Sequence, residues 1–507
     1  MRTHVYPVQK WEDTCEDYAV KVNGSPVQLH TARASCQPFN RRWPGHQRQK
    51  SQTELINFLS MEMDEPVTFE ITPKEPFEKV TIRPLSLGIQ PEIENGTIRF
   101  TLEKPAFVTV EPYGRYRALH IFADPISAYG VNPDDENVIY FGAGEHDVGH
   151  IELQSNQTLF IDEGAVVYAC VHAIDADNIK IIGRGILDNS RNKAQILFEA
   201  NADGNATMVR NAIRKHTIVL EYCTGVEIDG ITIRDSLLYN IRPWACTDIR
   251  IANVKVIGSW RYNSDGFDIH NCRNMLVENC FLRTFDDSIC VKGFDYYNAE
   301  SVEEAVYKAS HRNGKCYDVC ENIRVRNCTI WSDYSQPFPI GAETQAEEIR
   351  DIVFEDCDVI HLSCGCLDCH NIHYADVHDI LYQNINVEYD DVIPYPMRQV
   401  NDDHVYEGAD KHFTPWLISV RTYQHFEYSH GCDKVGISRD ITFRNIRIFG
   451  KHPPKAMFRG HDAEHKSKDI TIENLYWNGR PVTDWSEFEL EWEEAFTENI
   501  RLIYTGK

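Results

Sequence analysis

The sequence predicts an all-β chain: a right-handed parallel β-helix joined to a small N-terminal β domain. Three observations carry this expectation. Short segments alternate apolar and polar residues, the period of a strand with one buried face. The segments recur every twenty-odd residues, as in Cys223-Thr-Gly-Val-Glu-Ile, Cys246-Thr-Asp-Ile-Arg-Ile, Cys272-Arg-Asn-Met-Leu-Val and Cys320-Glu-Asn-Ile-Arg-Val, with spacings of 23, 26 and 48. The last spacing is two turns, or one turn with an insertion. Asn279, Asn327, Asn384 and Asn445 recur at the bends, where Asn tolerates turn geometry. A fixed period of this length built from β alternation means a β-solenoid.

Taken in order, residues 1–125 hold short strands such as Val67-Thr-Phe-Glu-Ile, Gly96-Thr-Ile-Arg-Phe and Ala106-Phe-Val-Thr-Val between Pro and Gly breaks. They read as a small sandwich-like domain, expected to cap the open end of the solenoid, since an unpaired edge is a liability. Residues 126–480 form the β-helix, with its first units at Asn137-Val-Ile-Tyr-Phe-Gly and Gln157-Thr-Leu-Phe-Ile and its last ending near Gly479. Segments 296–315 and 388–432 interrupt the repeat, and insertions of that size shape clefts. Residues 481–507 form an acidic tail with a helical pattern over Trp485 to Phe496, expected to pack on the solenoid.

The chain has 507 residues and a net charge of -26. That charge argues against nucleic acid and anionic membrane surfaces as partners. No apolar run approaches the roughly 20 residues of a membrane span, and no signal segment is visible, so a cytoplasmic location is expected. Many of the 16 Cys lie in repeat units. They read as small buried thiols rather than a disulfide framework.

The most telling stretch is Asn263-Ser264-Asp265-Gly266-Phe267-Asp268, followed by Asp286-Asp287. Asp265 precedes Asp286 and Asp287 by 21 and 22 residues, about one coil. Residues one coil apart stack roughly 4.8 Å from each other, so the three carboxylates should meet on one face. Crowded carboxylates repel, so some are driven up in pKa while others stay ionised. A general acid beside a general base is what cleavage of a glycosidic bond needs. Isolated Asp residues here would be ordinary bend residues; three at one-coil spacing favour chemistry.

Over residues 130–480 these motifs resemble the polygalacturonase-like enzymes of glycoside hydrolase family 28, with the related family 49 (dextranase and isopullulanase). The family's Asn-Thr-Asp-Gly-Phe-Asp motif is similar to Asn263–Asp268, with Ser264 for Thr. Its Asp-Asp-Cys motif and following Lys are similar to Asp286-Asp287-Ser288-Ile289-Cys290-Val291-Lys292. The resemblance implies a pectin-lyase-like solenoid and an inverting glycoside hydrolase needing no cofactor or metal. It implies that Asp286 is the general acid, protonated beside ionised Asp265 and Asp287, which hold and activate water. Asp268 and Lys292 fall at substrate-binding positions; a simple ion pair between adjacent coils is the plainer reading of these two.

The family's Gly-His-Gly segment corresponds to Gln336-Pro-Phe-Pro-Ile-Gly341-Ala-Glu343, placing Gln336 where the family has His. Its Arg-Ile-Lys motif, which holds galacturonate carboxylates, has no counterpart; Gly365-Cys-Leu-Asp-Cys369 contains no base. Losing two cations from an Asp-rich cleft favours a neutral sugar. Arg261, Tyr262 and Asn263 precede the first motif and are candidate sugar contacts, as are Glu343 and His370, although a solvated Glu is the plainer reading of Glu343. Trp244, Trp260, Trp331 and Tyr334 are aromatic candidates for sugar stacking. Cys364-x-Cys366-x-x-Cys369-His370-x-x-His373 has metal-like spacing, but strand alternation divides it between two faces, so no metal is expected.

The expected function is exo-acting, inverting hydrolysis of a neutral oligo- or polysaccharide. The alternatives are a polygalacturonase acting on galacturonate, a β-helix polysaccharide lyase, and a non-catalytic carbohydrate-binding solenoid. A solenoid flank is also a surface on which copies pair, so a homo-oligomer is among the expectations.

Overall fold

The computed structural model describes residues 3–36, 40–42, 53–192, 198–200, 206–208, 216–261, 263–293, 318–389, 397–399, 414–424 and 432–506. The parallel β-helix is present as three ladders. One is a 12-stranded sheet that starts at Val138–Phe141 and ends at Thr497–Ile503. The other two interleave in a 21-stranded sheet. One of them runs through Ile241–Trp244, Phe267–His270, Ile289–Gly293, Phe338–Thr344, Gly365–Asn371 and Trp416–Thr422; the other runs through Lys255–Ile257, Phe281–Thr284, Thr329–Ser332 and Asp358–His361.

Inward residues stack coil on coil. Val226, Ile249, Met275, Ile323, Ile352, Ile380, Ile441 and Ile470 form one such row, all in a single core. The bend asparagines do what their chemistry allows. Asn279, Asn327, Asn384 and Asn445 have φ of 54, 53, 55 and 54°, the left-handed region that Asn enters at low cost. Asn445 Nδ2 donates to Asn384 Oδ1 at 3.0 Å, linking successive bends. Cys223, Cys246, Cys272, Cys280, Cys320, Cys328 and Cys357 are buried thiols outside any disulfide.

The tail differs from expectation. Its turns at Trp485–Glu487 and Glu494–Phe496 are single 3₁₀ turns, and Glu489–Trp492 and Thr497–Ile503 extend the ladders. Glu489-Leu490-Glu491-Trp492 alternates with period two, and Leu490 and Trp492 pack on the core. The repeat therefore continues past Gly479 to Ile503. Among the described residues no helix is long and apolar enough to cross a membrane.

The N-terminal strands form two sheets around a core of Val20, Leu59, Phe69, Ile71, Val110 and Ile121. They do not cap the solenoid's end; they lie along its flank. Gln9 contacts Gly164, Glu12 pairs with Arg234, Asp124 with Lys255, Arg115 with Asp333, and Glu111 with His361. The reason is apolar. Phe281, Trp331 and Ile360 project from one solenoid face and are buried against Phe58 and Phe122. Trp331 is thus a packing residue and not a sugar platform.

Arg83 bridges Glu111 and Glu388 at this junction. Burial pushes Glu388 up to about 7, with Arg83 offsetting only part of that cost. A carboxyl raised in the folded state adds stability below its unfolded value, near 4.5, and loses it as pH rises through 7. Glu388→Gln is therefore expected to flatten the fall in melting temperature between pH 5 and 7, an effect worth at most about 3 kcal/mol. An unchanged pH slope would show that Glu388 does not carry it.

Candidate active site

The site is built by coil stacking. Phe267–His270 pairs with Ile289–Gly293 so that Asp268 faces Cys290 and His270 faces Lys292. Phe267, Ile269, Ile289 and Val291 point into the core, so Asp268, His270, Cys290 and Lys292 point away from it. The bends before these strands stack as well. Gly266 N donates to Asp287 O at 2.8 Å, and Ser288 N to Gln336 O at 2.8 Å. Asn240 Nδ2 donates to Asp265 O at 2.6 Å. Four successive coils thus bring together Asn240, Asp265, Asp286-Asp287 and Ser335-Gln336. The approach demands glycine at 266, where a Cβ would lie 2.1 Å from Ser288 O.

Lys292 is the hub. Its Nζ lies 2.9 Å from Asp268, 3.4 Å from Asp287, 3.7 Å from Asp265 and 3.8 Å from Glu343. Burial disfavours its charge, but Asp268 and the other carboxylates outweigh that and hold it protonated. Asp265 is 2% exposed. Burial pushes it well above the usual carboxylate range, and Asp268, Asp286 and Asp287 push the same way. Asp287 is also raised, by burial first, against Lys292 and a hydrogen bond from Ser335. For Asp268 burial acts upward, yet Lys292, His270 and the Cys290 thiol outweigh it and keep it ionised. Glu343 is held below its usual range, with Lys292 overcoming burial. It is part of the charge cluster, not a solvated side chain.

Proton affinity in the free site therefore rises at Asp265 and Asp287. Asp286 is oriented from below, its Oδ1 accepting from Asp287 N at 3.1 Å. Asp265, Asp287 and Cys290 place donor atoms within 4.8 Å of one another.

Gln336 joins the site through its backbone. Its N–H points at Asp287 Oδ1 at 3.4 Å, and its Oε1 accepts from Ser335 Oγ at 2.8 Å. Arg261 is held by Asp235 and lies over Trp260 at 4.2 Å. Asn263 is half-buried with φ of 56°. Tyr262 lies outside the described residues. His370 hydrogen-bonds Tyr423 Oη at 2.7 Å, one ladder step from Gly341. In the Cys364–His373 segment, Cys366 and Cys369 lie in the core while Asp368 pairs with Arg421 at 2.7 Å. Strict alternation would put Cys366 on the face of Asp368; instead Cys366 turns into the core beside Leu367.

Arg421, Asp368, His270 and Ser335 were not singled out by the sequence. Arg421 sits beside His370 in the ladder, but the insertion ahead of Trp416 breaks the count that would place it. His270 was within reach, since it lies 22 residues before Lys292.

A parallel β-helix with a carboxylate cluster at adjacent bends suits carbohydrate chemistry, and sequence comparison agrees. The chain belongs to the glycosyl hydrolases family 28, whose model matches residues 143–398. Of the alternatives raised by the sequence, hydrolysis is the one this membership supports. A curated relative, a "Probable polygalacturonase" of Vitis vinifera, is 24% identical over 253 residues, covering 45% of this chain and 48% of the relative. The chain spans about half the length of that relative. Dex49A from Penicillium minioluteum superposes with a TM-score of 0.62 at 15% identity, over 98% of this chain and 96% of that one. A hyperthermoactive exopolygalacturonase from Thermotoga maritima gives 0.51 at 16% identity, over 73% and 84%. At these identities the likeness is one of fold.

Proposed function

We propose that the chain is an inverting, exo-acting hydrolase of a neutral oligosaccharide. The observation that carries the reading is the gathering of Asp265, Asp286 and Asp287 on stacked bends around the single ammonium of Lys292. Asp286 acts as general acid toward the departing oxygen. Asp265 and Asp287 hold the attacking water on the opposite side of the ring, and one of them takes its proton. In the free site the raised affinities of Asp265 and Asp287 keep a proton within the cluster, so productive binding must leave it on Asp286. Inversion needs water between acid and base, with carboxyl groups about 6.5–9.5 Å apart. Asp268, Lys292 and Glu343 position the sugar.

The neutral-sugar assignment rests on charge. Arg242 faces Glu221, Lys292 faces four carboxylates, Arg421 faces Asp368, and Arg459 faces Glu493. Among the described residues each of these cations on the cleft face has an acidic partner. A uronate would have to break such a pair. Exo action rests on the length of the interruptions to the repeat in the sequence, 296–315 and 388–432, since insertions of that size shape clefts. Galacturonate hydrolysis is the second reading, favoured by the name of the Vitis relative.

A panel of neutral and uronic oligosaccharides, read by product size and by anomeric proton signals during turnover, tests all three points. Release of single units as the inverted anomer from a neutral oligosaccharide is expected. A ladder of intermediate sizes rules out exo action, retention rules out the proposed roles, and turnover of galacturonate alone overturns the neutral assignment.

A further inference from the structure

A second cluster lies on the same solenoid face, three coils toward the N-terminus. Gly144–Leu153 and Ala165–Ile174 pair in parallel, with His150 opposite Cys170 and Glu152 opposite His172. Ile151, Leu153, Val171 and Ala173 fill the core, so the four polar residues point outward. One donor atom from each of His150, Cys170 and His172 lies within 4.8 Å of the others. His150 Nδ1 is 3.5 Å from Cys170 Sγ. The other ring nitrogen, Nε2, is 3.1 Å from a Glu152 carboxylate oxygen. The two imidazoles meet edge to face with centroids 4.5 Å apart.

We propose that His150, Cys170 and His172 bind a zinc ion, with Glu152 orienting His150. Two imidazoles and a thiolate are borderline-to-soft donors, which suit Zn²⁺ and not Mg²⁺ or Ca²⁺. Tetrahedral bonds of about 2.0–2.3 Å require ligand atoms roughly 3.3–3.8 Å apart, so small side-chain rotations complete the set. The Glu152 contact gives the carboxylate–histidine–metal arrangement: a proton held on Nε2 leaves the Nδ1 lone pair facing Cys170. On binding, the Cys170 thiol loses its proton to solvent and the thiolate ligates the metal.

Cys170 is fully buried, whereas His150 and Glu152 are 43% and 44% exposed. The site has a fixed floor and an open approach, and a fourth position remains for water or a sugar hydroxyl. His172 is followed in its row by Val219, Arg242 and then the coil of Asp268. At about 4.8 Å per coil the metal lies some 14 Å from Asp268, far enough to be independent of the hydrolytic cluster.

The test is titration of the full chain, stripped of metal, with Co²⁺ as a coloured probe and Zn²⁺ as competitor. One equivalent of Co²⁺ is expected to produce a thiolate-to-metal absorption band that Zn²⁺ abolishes. Cys170→Ser should remove the band, His172→Gln should weaken binding by about 100-fold, and Glu152→Gln by about 10-fold. Cys290→Ser should leave it unchanged. Absence of the band in wild type overturns the proposal, as does its persistence in Cys170→Ser or its loss in Cys290→Ser alone. Glu152 is exposed, so its variant keeps the test valid should Cys170→Ser fail to fold; wild-type affinity in Glu152→Gln would then remove the orienting role and the proposal with it.

Discussion

Replacing Asp286 by Asn is expected to lower kcat by about 10²–10⁴ while leaving the melting temperature close to that of the parent. The substitution is isosteric, and the amide oxygen can still accept from Asp287 N, as the Asp286 carboxylate does at 3.1 Å. Only the transferable proton is lost. The size of the loss should therefore depend on the leaving group. On an aryl glycoside whose phenol departs without protonation, the variant should recover most of its rate. Asp265→Asn and Asp287→Asn act on the water, and their losses should be similar for both substrates. An Asp286→Asn loss that is equal on both substrates would place the acid elsewhere in the cluster.

The second large effect is expected at Lys292. Lys292→Met keeps the stem's length but leaves Asp268, Asp265, Asp287 and Glu343 facing one another without a cation. Removing one partner from a buried ion cluster costs about 3–5 kcal/mol. The cost should depend on pH in a definite direction. Without the ammonium Asp268 and Glu343 lose what holds them low and Asp265 and Asp287 rise further in the folded state, so the cluster adds stability below the unfolded values, near 4, and loses it as pH rises. The gap between variant and parent should thus be widest near pH 7 and close toward pH 4. Chemical denaturation at several pH values measures it. A gap that stays constant would mean that packing, not charge, was lost.

Much of this was legible in the sequence, because a solenoid writes its geometry into spacing. The 22-residue step from Asp265 to Asp287 is the register of the ladder, so the carboxylate cluster follows from counting. The asparagine bends follow for the same reason. What counting misses lies across insertions or between domains. Arg421 follows the interruption ahead of Trp416, so its coil cannot be numbered from the motif. Glu343 looks like a solvated acid until Lys292 is placed one coil away. The flank position of the N-terminal domain was hidden because outward Trp331 reads as a candidate for sugar stacking, when with Phe281 it belongs to the apolar strip that the domain covers. The tail was misread because Glu489–Trp492 is too short for its period of two to outweigh its acidic composition.

That lateral placement changes how the molecule holds together. In an ordinary solenoid each coil touches only its neighbours, and stability accumulates step by step, with the ends free to fray. Here one body grips coils from Gly164 to Glu388 at once, through Gln9, Glu12, Asp124, Arg115, Glu111 and Arg83. It works as a splint. The coils bearing Asp265, Asp286 and Lys292 lie within the gripped stretch, so the hydrolytic cluster is expected to melt with the splinted block as one unit.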